Sequence, residues 1–152
     1  DLLNGFCSQT YLSVQNESID FKTQYSTIPD SFLNLGPYGG ILSAFKKDPN
    51  SAWLIVATDL PFLDLSTLSD LIKGRDKSKI ATCFHNPETA FPEPLLTLWE
   101  PRAYSILLQF LAYGYSCPRK VLINSDIKEL RIKNTNALCN VNTPEELKVV
   151  KR

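Results

Sequence analysis

The chain has 152 residues, 43% of them hydrophobic, and its 16 Lys+Arg are balanced by 16 Asp+Glu. That is one domain's worth of sequence, long enough to bury about 68–70% of its unfolded surface. The absence of net charge argues against a generic nucleic-acid or anionic-membrane binder. The strongest apolar runs, such as Ala52–Ala57, fall far short of the roughly 20 residues a membrane span needs, and no segment reads as a signal peptide. The chain begins with Asp and contains no Met, which reads as a processed chain or a piece of a longer polypeptide. Cys7, Cys83, Cys117 and Cys139 form no C-x-x-C pair, so a zinc ribbon is not expected and a reduced, cytoplasmic setting is. His85 is the sole histidine, which excludes a His-pair metal site.

Short β-rich runs alternate with helical stretches. Thr10–Val14 reads as a strand. Ile41–Lys47 reads as a short helix after a Gly/Pro turn. Ala52–Ala57 is a continuous apolar run, the pattern of a strand buried on both faces of a parallel sheet. Asp64–Lys73 is helical, with Asp64 or Ser66 as cap and Gly74 as stop. Ile80–Phe84 is a strand, Asn86–Pro94 a Pro-rich loop and Leu95–Trp99 a strand. Pro101–Tyr113 is a helix, Pro118–Asn124 a short helix or turn, and Leu130–Ile132 and Ala137–Val141 are short strands. Thr143–Lys151 closes the chain as a helix with a Thr143/Glu146 capping box. The alternation predicts an α/β domain with a mostly parallel sheet, whose ligand site lies off the carboxyl ends of the strands.

Three segments meet that rule. The apolar strand at Trp53–Ala57 runs straight into Thr58–Asp59, so Asp59 sits at the mouth of the sheet. A carboxylate there suits Mg²⁺, which takes one or two carboxylates plus phosphates and waters; turn capping is the alternative. Gly36, Gly39 and Gly40 open a helix, where the backbone can approach a ligand and the helix N-terminus favours negative groups; ordinary turn punctuation is the alternative. Asn140 and Asn142 alternate at a strand end and share a face. One residue there caps the final helix, leaving the second Asn free for a ligand. Lys46, Lys47, Arg119 and Lys120 either meet a phosphorylated acceptor or are solvated charges. The aromatics of Phe110–Tyr115 are expected in the core.

Taken together, GPYGGILSAF, WLIVATDLPFLD and NVNTPEEL resemble the MobA-like nucleotidyltransferases, the molybdopterin-guanine dinucleotide synthase group. Pro29–Asp30 ahead of Gly36 matches the acidic residue that precedes that family's GP-x-x-G turn, and the likeness runs from about Thr10 to the C-terminus. The resemblance implies a three-layer, Rossmann-like nucleotidyltransferase fold with a mostly parallel sheet. It implies Mg²⁺-dependent transfer of GMP, or less expectedly CMP, from a nucleoside triphosphate to a phosphorylated acceptor such as molybdopterin, with release of pyrophosphate. By motif position Asp59 is the catalytic and metal carboxylate. Asp30, Gly36, Gly39, Gly40, Asn140 and Asn142 are nucleotide or acceptor residues.

One departure is large. The family opens with a strand and an LAGG-x-S-x-R-M-G loop that cradles the triphosphate, and nothing like it is present here. Residues 1–152 are therefore expected to be a single nucleotidyltransferase domain, truncated at its N-terminus and inactive alone. The alternative is a non-catalytic nucleotide- or protein-binding module derived from this fold. An unrelated hydrolase or dehydrogenase fits poorly, because neither G-x-S-x-G nor G-x-G-x-x-G occurs.

Overall fold

The computed structural model describes residues 2–16 and 24–141. A 3-10 turn at Leu2–Gly5 leads into β1 (Tyr11–Val14), followed by β2 (Ser26–Pro29), α1 (Pro37–Lys47), β3 (Trp53–Val56) and α2 (Leu65–Lys73). Then come β4 (Ala81–Asn86), β5 (Phe91–Trp99), α3 (Ala103–Ala112), α4 (Pro118–Ile123), β6 (Lys128–Arg131) and a second 3-10 turn at Thr135–Leu138. The final helix expected at Thr143–Lys151 lies outside the described residues.

The strands form two sheets. β1 and β2 pair in parallel, and a four-stranded sheet has the order β3-β5-β4-β6. β5 is antiparallel to β3 and β4, and β4 is parallel to β6. β3, β4 and β6 therefore point the same way, and their carboxyl ends share one edge.

Side-chain alternation builds three layers. Trp53 and Ile55 pack with α1, α3 and α4 on one face, around Phe45, Trp99 and Leu107. Leu54 and Val56 pack on the other face with Leu68 and Leu71 of α2 and with Phe84 and Leu138. Tyr38 of α1 is fully buried and its hydroxyl donates to the Leu107 carbonyl at 2.5 Å, tying α1 to α3. Burial pushes that phenol up to about 12. Asp64 is the cap of α2: its Oδ1 accepts the Thr67 N–H at 2.7 Å.

Several expectations are corrected. The apolar run Ala52–Ala57 is not an interior strand among the described residues. β3 pairs only with β5, and all four of its residues are half-buried. The hydrophobic pattern reports what the strand is built to contact, and here one of its edges faces a groove. The Pro-rich segment is strand from Phe91 onward. Prolines are tolerated there because β3 reaches only Leu96 in the ladder, so β5 is an edge around Pro92 and Pro94. The register with β4 also slips between Cys83 and His85, which absorbs the missing donors. Thr135–Leu138 winds as a 3-10 turn where Ala137–Val141 is expected to be strand, and β2 carries no periodicity that marks it in the sequence. Phe110 packs against the core, whereas Tyr113 is 73% and Tyr115 45% exposed.

Candidate active site at the mouth of the groove between β1 and β3

The edges of β1 and β3 line one groove of about 1750 Å³, together with Asp30, Gly36, Gly40 and Asp59. Asp59 follows β3 in the turn at Thr58–Asp59, and a second turn, closed by the Leu63 N–H on the Leu60 carbonyl, carries Pro61. Asp59 Oδ1 is buried without a hydrogen-bond partner among the described residues, and the Asp59 carbonyl accepts the Val141 N–H at 3.0 Å. That bond brings Asn140, an exposed residue, beside Asp59 in the chain path. Asn142 lies outside the described residues.

Asp30 ends β2. Its N–H donates to the Val14 carbonyl at 2.9 Å, extending the β1–β2 ladder by one step. Its Oδ1 is likewise buried and unpartnered among the described residues, and burial raises its carboxyl above the usual 3.8. The next residue is held by a relay from α1: the Ser31 N–H donates to Ser43 Oγ at 2.8 Å, and Ser43 Oγ donates to the Gly39 carbonyl at 2.6 Å. Ser43 thus positions the Asp30 turn. A serine inside an apolar helix carries no spacing signal that would mark it in a single sequence.

The three glycines divide by task. Gly36 precedes α1 with φ 57° and ψ −139°, a backbone state that L side chains rarely adopt. A Cβ on Gly40 would lie 2.9 Å from Ser13 Oγ and 3.8 Å from Asp30 Oδ1, so its bareness keeps the wall beside Asp30 open. A Cβ on Gly39 would lie 2.4 Å from the Phe32 carbonyl oxygen. Gly39 is a packing residue buried under the turn, and it does not line the groove.

Charge is unevenly placed along this groove. Among its described lining residues the cations are Lys47 and Arg75. Lys47 lies over the Tyr11 ring at 5.2 Å, and Tyr11 in turn sits 5.8 Å from the Trp53 ring. Arg75 makes two bonds, of 2.6 and 2.8 Å, to the buried carboxylate of Glu100. Both cations therefore stand at the amino end of β3, and the two unpartnered carboxylates at its carboxyl end. Arg119 and Lys120 are remote from the groove, laid over Phe91 and Tyr115.

No group of three His, Cys, Asp or Glu capable of holding an ion exists among the described residues. Asp59 Oδ1 suits a Mg²⁺ that takes one protein carboxylate and fills its shell with phosphate oxygens and water.

An open α/β sheet with helices on both faces and two unpartnered carboxylate oxygens off its carboxyl edge puts the candidate site where open α/β folds bind their ligands. A family model, the MobA-like NTP transferase domain, matches residues 1–128. The chain belongs to that family. It is 30% identical over 148 residues to the "Molybdenum cofactor biosynthesis bifunctional protein" of Synechocystis sp., covering 96% of this chain and 43% of that protein. It is 23% identical over 126 residues to the "Probable molybdenum cofactor guanylyltransferase" of Flavobacterium johnsoniae, covering 78% of this chain and 65% of that one. The chain thus spans less than two thirds of either curated relative. The crystal structure of molybdopterin-guanine dinucleotide biosynthesis protein A from Archaeoglobus fulgidus superposes with a TM-score of 0.75 at 21% identity, covering 92% of this chain and 75% of that one. That likeness establishes the fold.

Proposed function

We propose that the polypeptide carrying this chain is a nucleotidyltransferase of molybdenum cofactor biosynthesis that transfers GMP from GTP to a phosphorylated acceptor, molybdopterin being favoured and CMP transfer the alternative. The observation that carries this reading is Asp59, held at the carboxyl end of β3 with a buried, unpartnered oxygen facing the same groove as Asp30 and Gly40. In the reaction an acceptor phosphate oxygen attacks the α-phosphorus, a new P–O bond forms, the α–β anhydride bond breaks and pyrophosphate leaves with the electron pair. Mg²⁺ bound through Asp59 would supply charge neutralisation for the reacting phosphates.

The protein's own part is positioning. Asp59 fixes the reacting end of the groove. Gly36 and Gly40 leave room for the nucleotide, and Asp30 offers an acceptor to N–H donors of the base or O–H donors of the ribose. Asn140 and Asn142 are proposed to orient the acceptor phosphate, Asn140 through its chain neighbour's bond to Asp59. Gly39 acts through packing. A cytoplasmic setting fits soluble substrates of this kind; no helix among the described residues is long and apolar enough to cross a membrane.

Residues 1–152 are further proposed to be the larger part of the domain, with the groove between β1 and β3 taking one more strand. The apolar edge of β3 that no described strand pairs with supports this. A second reading, a non-catalytic nucleotide- or protein-binding module, draws support from the described lining, which carries its cations, Lys47 and Arg75, away from the Asp59 end. The test is transfer of label from α-labelled GTP or CTP to molybdopterin by the polypeptide as expressed, with and without Mg²⁺. Mg²⁺-dependent product from GTP supports the enzyme. Nucleotide binding with no product in any condition supports the module.

A further inference from the structure

Residues 103–118 form a run of sixteen without a charged side chain, bounded by Arg102 and Arg119. In a chain with 21% charged residues such a run would ordinarily carry about three. The other uncharged runs of comparable length, 2–16 and 31–45, contribute to the lining of the groove between β1 and β3, whereas no residue of 102–118 does. The run is nevertheless well exposed, with Ser105, Leu108, Gln109, Ala112 and Tyr113 all facing outward. An open surface with no charge, one large aliphatic and one large aromatic side chain has the composition of a protein interface and not of a solvated helix.

The exposed residues are ordered along α3. Ala103 and Leu107 are buried, and Ile106 and Phe110 pack on the core with Phe45 and Trp99. Ser105, Leu108, Gln109 and Ala112 recur on the opposite face at the three- and four-residue spacing of a helix. This stripe is symmetrical about the midpoint between Leu108 and Gln109, with a small residue at each end. Its flank is not symmetrical in charge. Arg102 at the amino end and Tyr113 at the carboxyl end both keep near-helical backbone angles. At about 100° per residue they fall within about 20° of each other around the axis, on the side of Gln109. The Arg102 guanidinium donates from Nη1 to the Ser78 carbonyl at 2.9 Å and has no carboxylate partner among the described residues. The Tyr113 ring is 73% exposed.

We propose that this face of α3 docks on the same face of a second copy of the chain, the two helices lying antiparallel about a two-fold axis at the Leu108–Gln109 midpoint. Such an axis reverses the helix direction and preserves the flank. Ser105 then lies level with the partner's Ala112, two small residues that let the backbones approach. Leu108 and Gln109 each meet their own counterparts. Arg102 comes within about 3 Å, along the axis, of the level of the partner's Tyr113 and on the same flank, where a guanidinium can lie over the ring. Charge selects this direction: parallel helices would set Arg102 against its own counterpart and leave both rings unmatched. The pairing uses no residue of the groove, so the inference stands apart from the reaction assigned there. One helix face is a small interface, and the dimer is expected in the micromolar range.

Sedimentation velocity of the intact polypeptide between about 1 and 300 µM tests this. A concentration-dependent monomer–dimer equilibrium is expected. Leu108→Glu, which sets two carboxylates against each other at the axis, should weaken it at least ten-fold. Tyr113→Lys, which sets a second cation beside Arg102, should weaken it similarly, whereas Tyr113→Glu should retain the dimer. All three variants should keep the wild-type thermal midpoint. In a Cys117→Ser background, Leu108→Cys should give a disulfide-linked dimer on mild oxidation, and Asn50→Cys should not. The proposal is overturned by a monomer at every concentration, or by a dimer indifferent to both Leu108→Glu and Tyr113→Lys, which would place the contact elsewhere, as at the open edge of β3. Equal cross-linking through Asn50→Cys would also overturn it. So would a monomer in which the Leu108→Cys thiol resists maleimide, since another part of the polypeptide would then cover the face.

Discussion

The Val141 N–H donates to the Asp59 carbonyl at 3.0 Å, so a residue near the end of the described chain fixes the turn that carries the candidate catalytic carboxylate. The turn is thereby held through its backbone, and the Asp59 side chain, whose Oδ1 has no partner among the described residues, is left to the groove. A capping aspartate would show the opposite pattern, as Asp64 does.

Asp59→Asn removes the charge at nearly constant shape. Transfer by the intact polypeptide is expected to fall by about 10²-fold or more, the scale of losing one preorganised electrostatic group. The thermal midpoint is expected to stay within a degree or two, because no hydrogen bond to the side chain is lost. Unchanged turnover would refute the role, and a large drop in melting temperature would point to a structural one.

Burial raises the Asp30 carboxyl above 3.8. The folded state thus holds its proton to a higher pH than the unfolded chain does. The group costs nothing below 3.8 and destabilises progressively as pH rises through its folded value. Asp30→Asn should therefore flatten that decline, which thermal melts of the two proteins between pH 3.5 and 6 would reveal. Parallel curves would contradict the burial argument.

Asp64 has the opposite sign. Hydrogen bonds from the Thr67 side chain and backbone, then from Asn134, hold its carboxyl below 3.8. Its contribution is present above 3.8 and is lost as pH falls through the depressed value. Asp64→Ala should cost about 0.5–2 kcal/mol in denaturant unfolding at neutral pH, the usual loss for an N-cap. A smaller effect at pH 7 than at pH 3 would count against it.

Gly39 and Gly40 are expected to separate stability from binding. Gly39→Ala drives a Cβ to 2.4 Å from the Phe32 backbone carbonyl, an overpacking on the scale of about 1–3 kcal/mol. Gly40→Ala meets the Ser13 hydroxyl at 2.9 Å, which can rotate aside, so its cost falls on groove shape. Urea melts should rank Gly39→Ala lower in stability, while nucleotide titration should rank Gly40→Ala lower in affinity.

The ladder geometry states which amides lie open. Ala57 bonds Leu95 across to β5, so by alternation Ile55 and Trp53 also face β5, and Leu54 and Val56 present their N–H groups to the groove. On β1, Val14 faces β2 through its bond to Asp30, and Ser13 faces the groove. Hydrogen exchange of residues 1–152 should be faster at Ser13, Leu54 and Val56 than at Ile55 and Val14. Equal protection would mean that the groove is already filled.

Local signals determined much of this molecule. The helix of Leu65–Lys73 was legible because its cap, apolar stripe and stop are all written within ten or so positions, and Asp59 because an apolar strand ends beside it. The GPYGG and TDLP segments also marked the family, since they are contiguous in sequence. What only the tertiary structure decided depends on distant parts. The apolar pattern of β3 announces burial on both faces but cannot say which neighbours the described chain provides, and one edge proves open. Gly36, Gly39 and Gly40 look alike as letters, and only the approach of Phe32, Ser13 and Asp30 separates packing from site. The strand character of Pro92 and Pro94 follows from where β3 stops pairing. Pairing partners far apart in sequence leave no periodicity behind, and so none of these could be read before the fold.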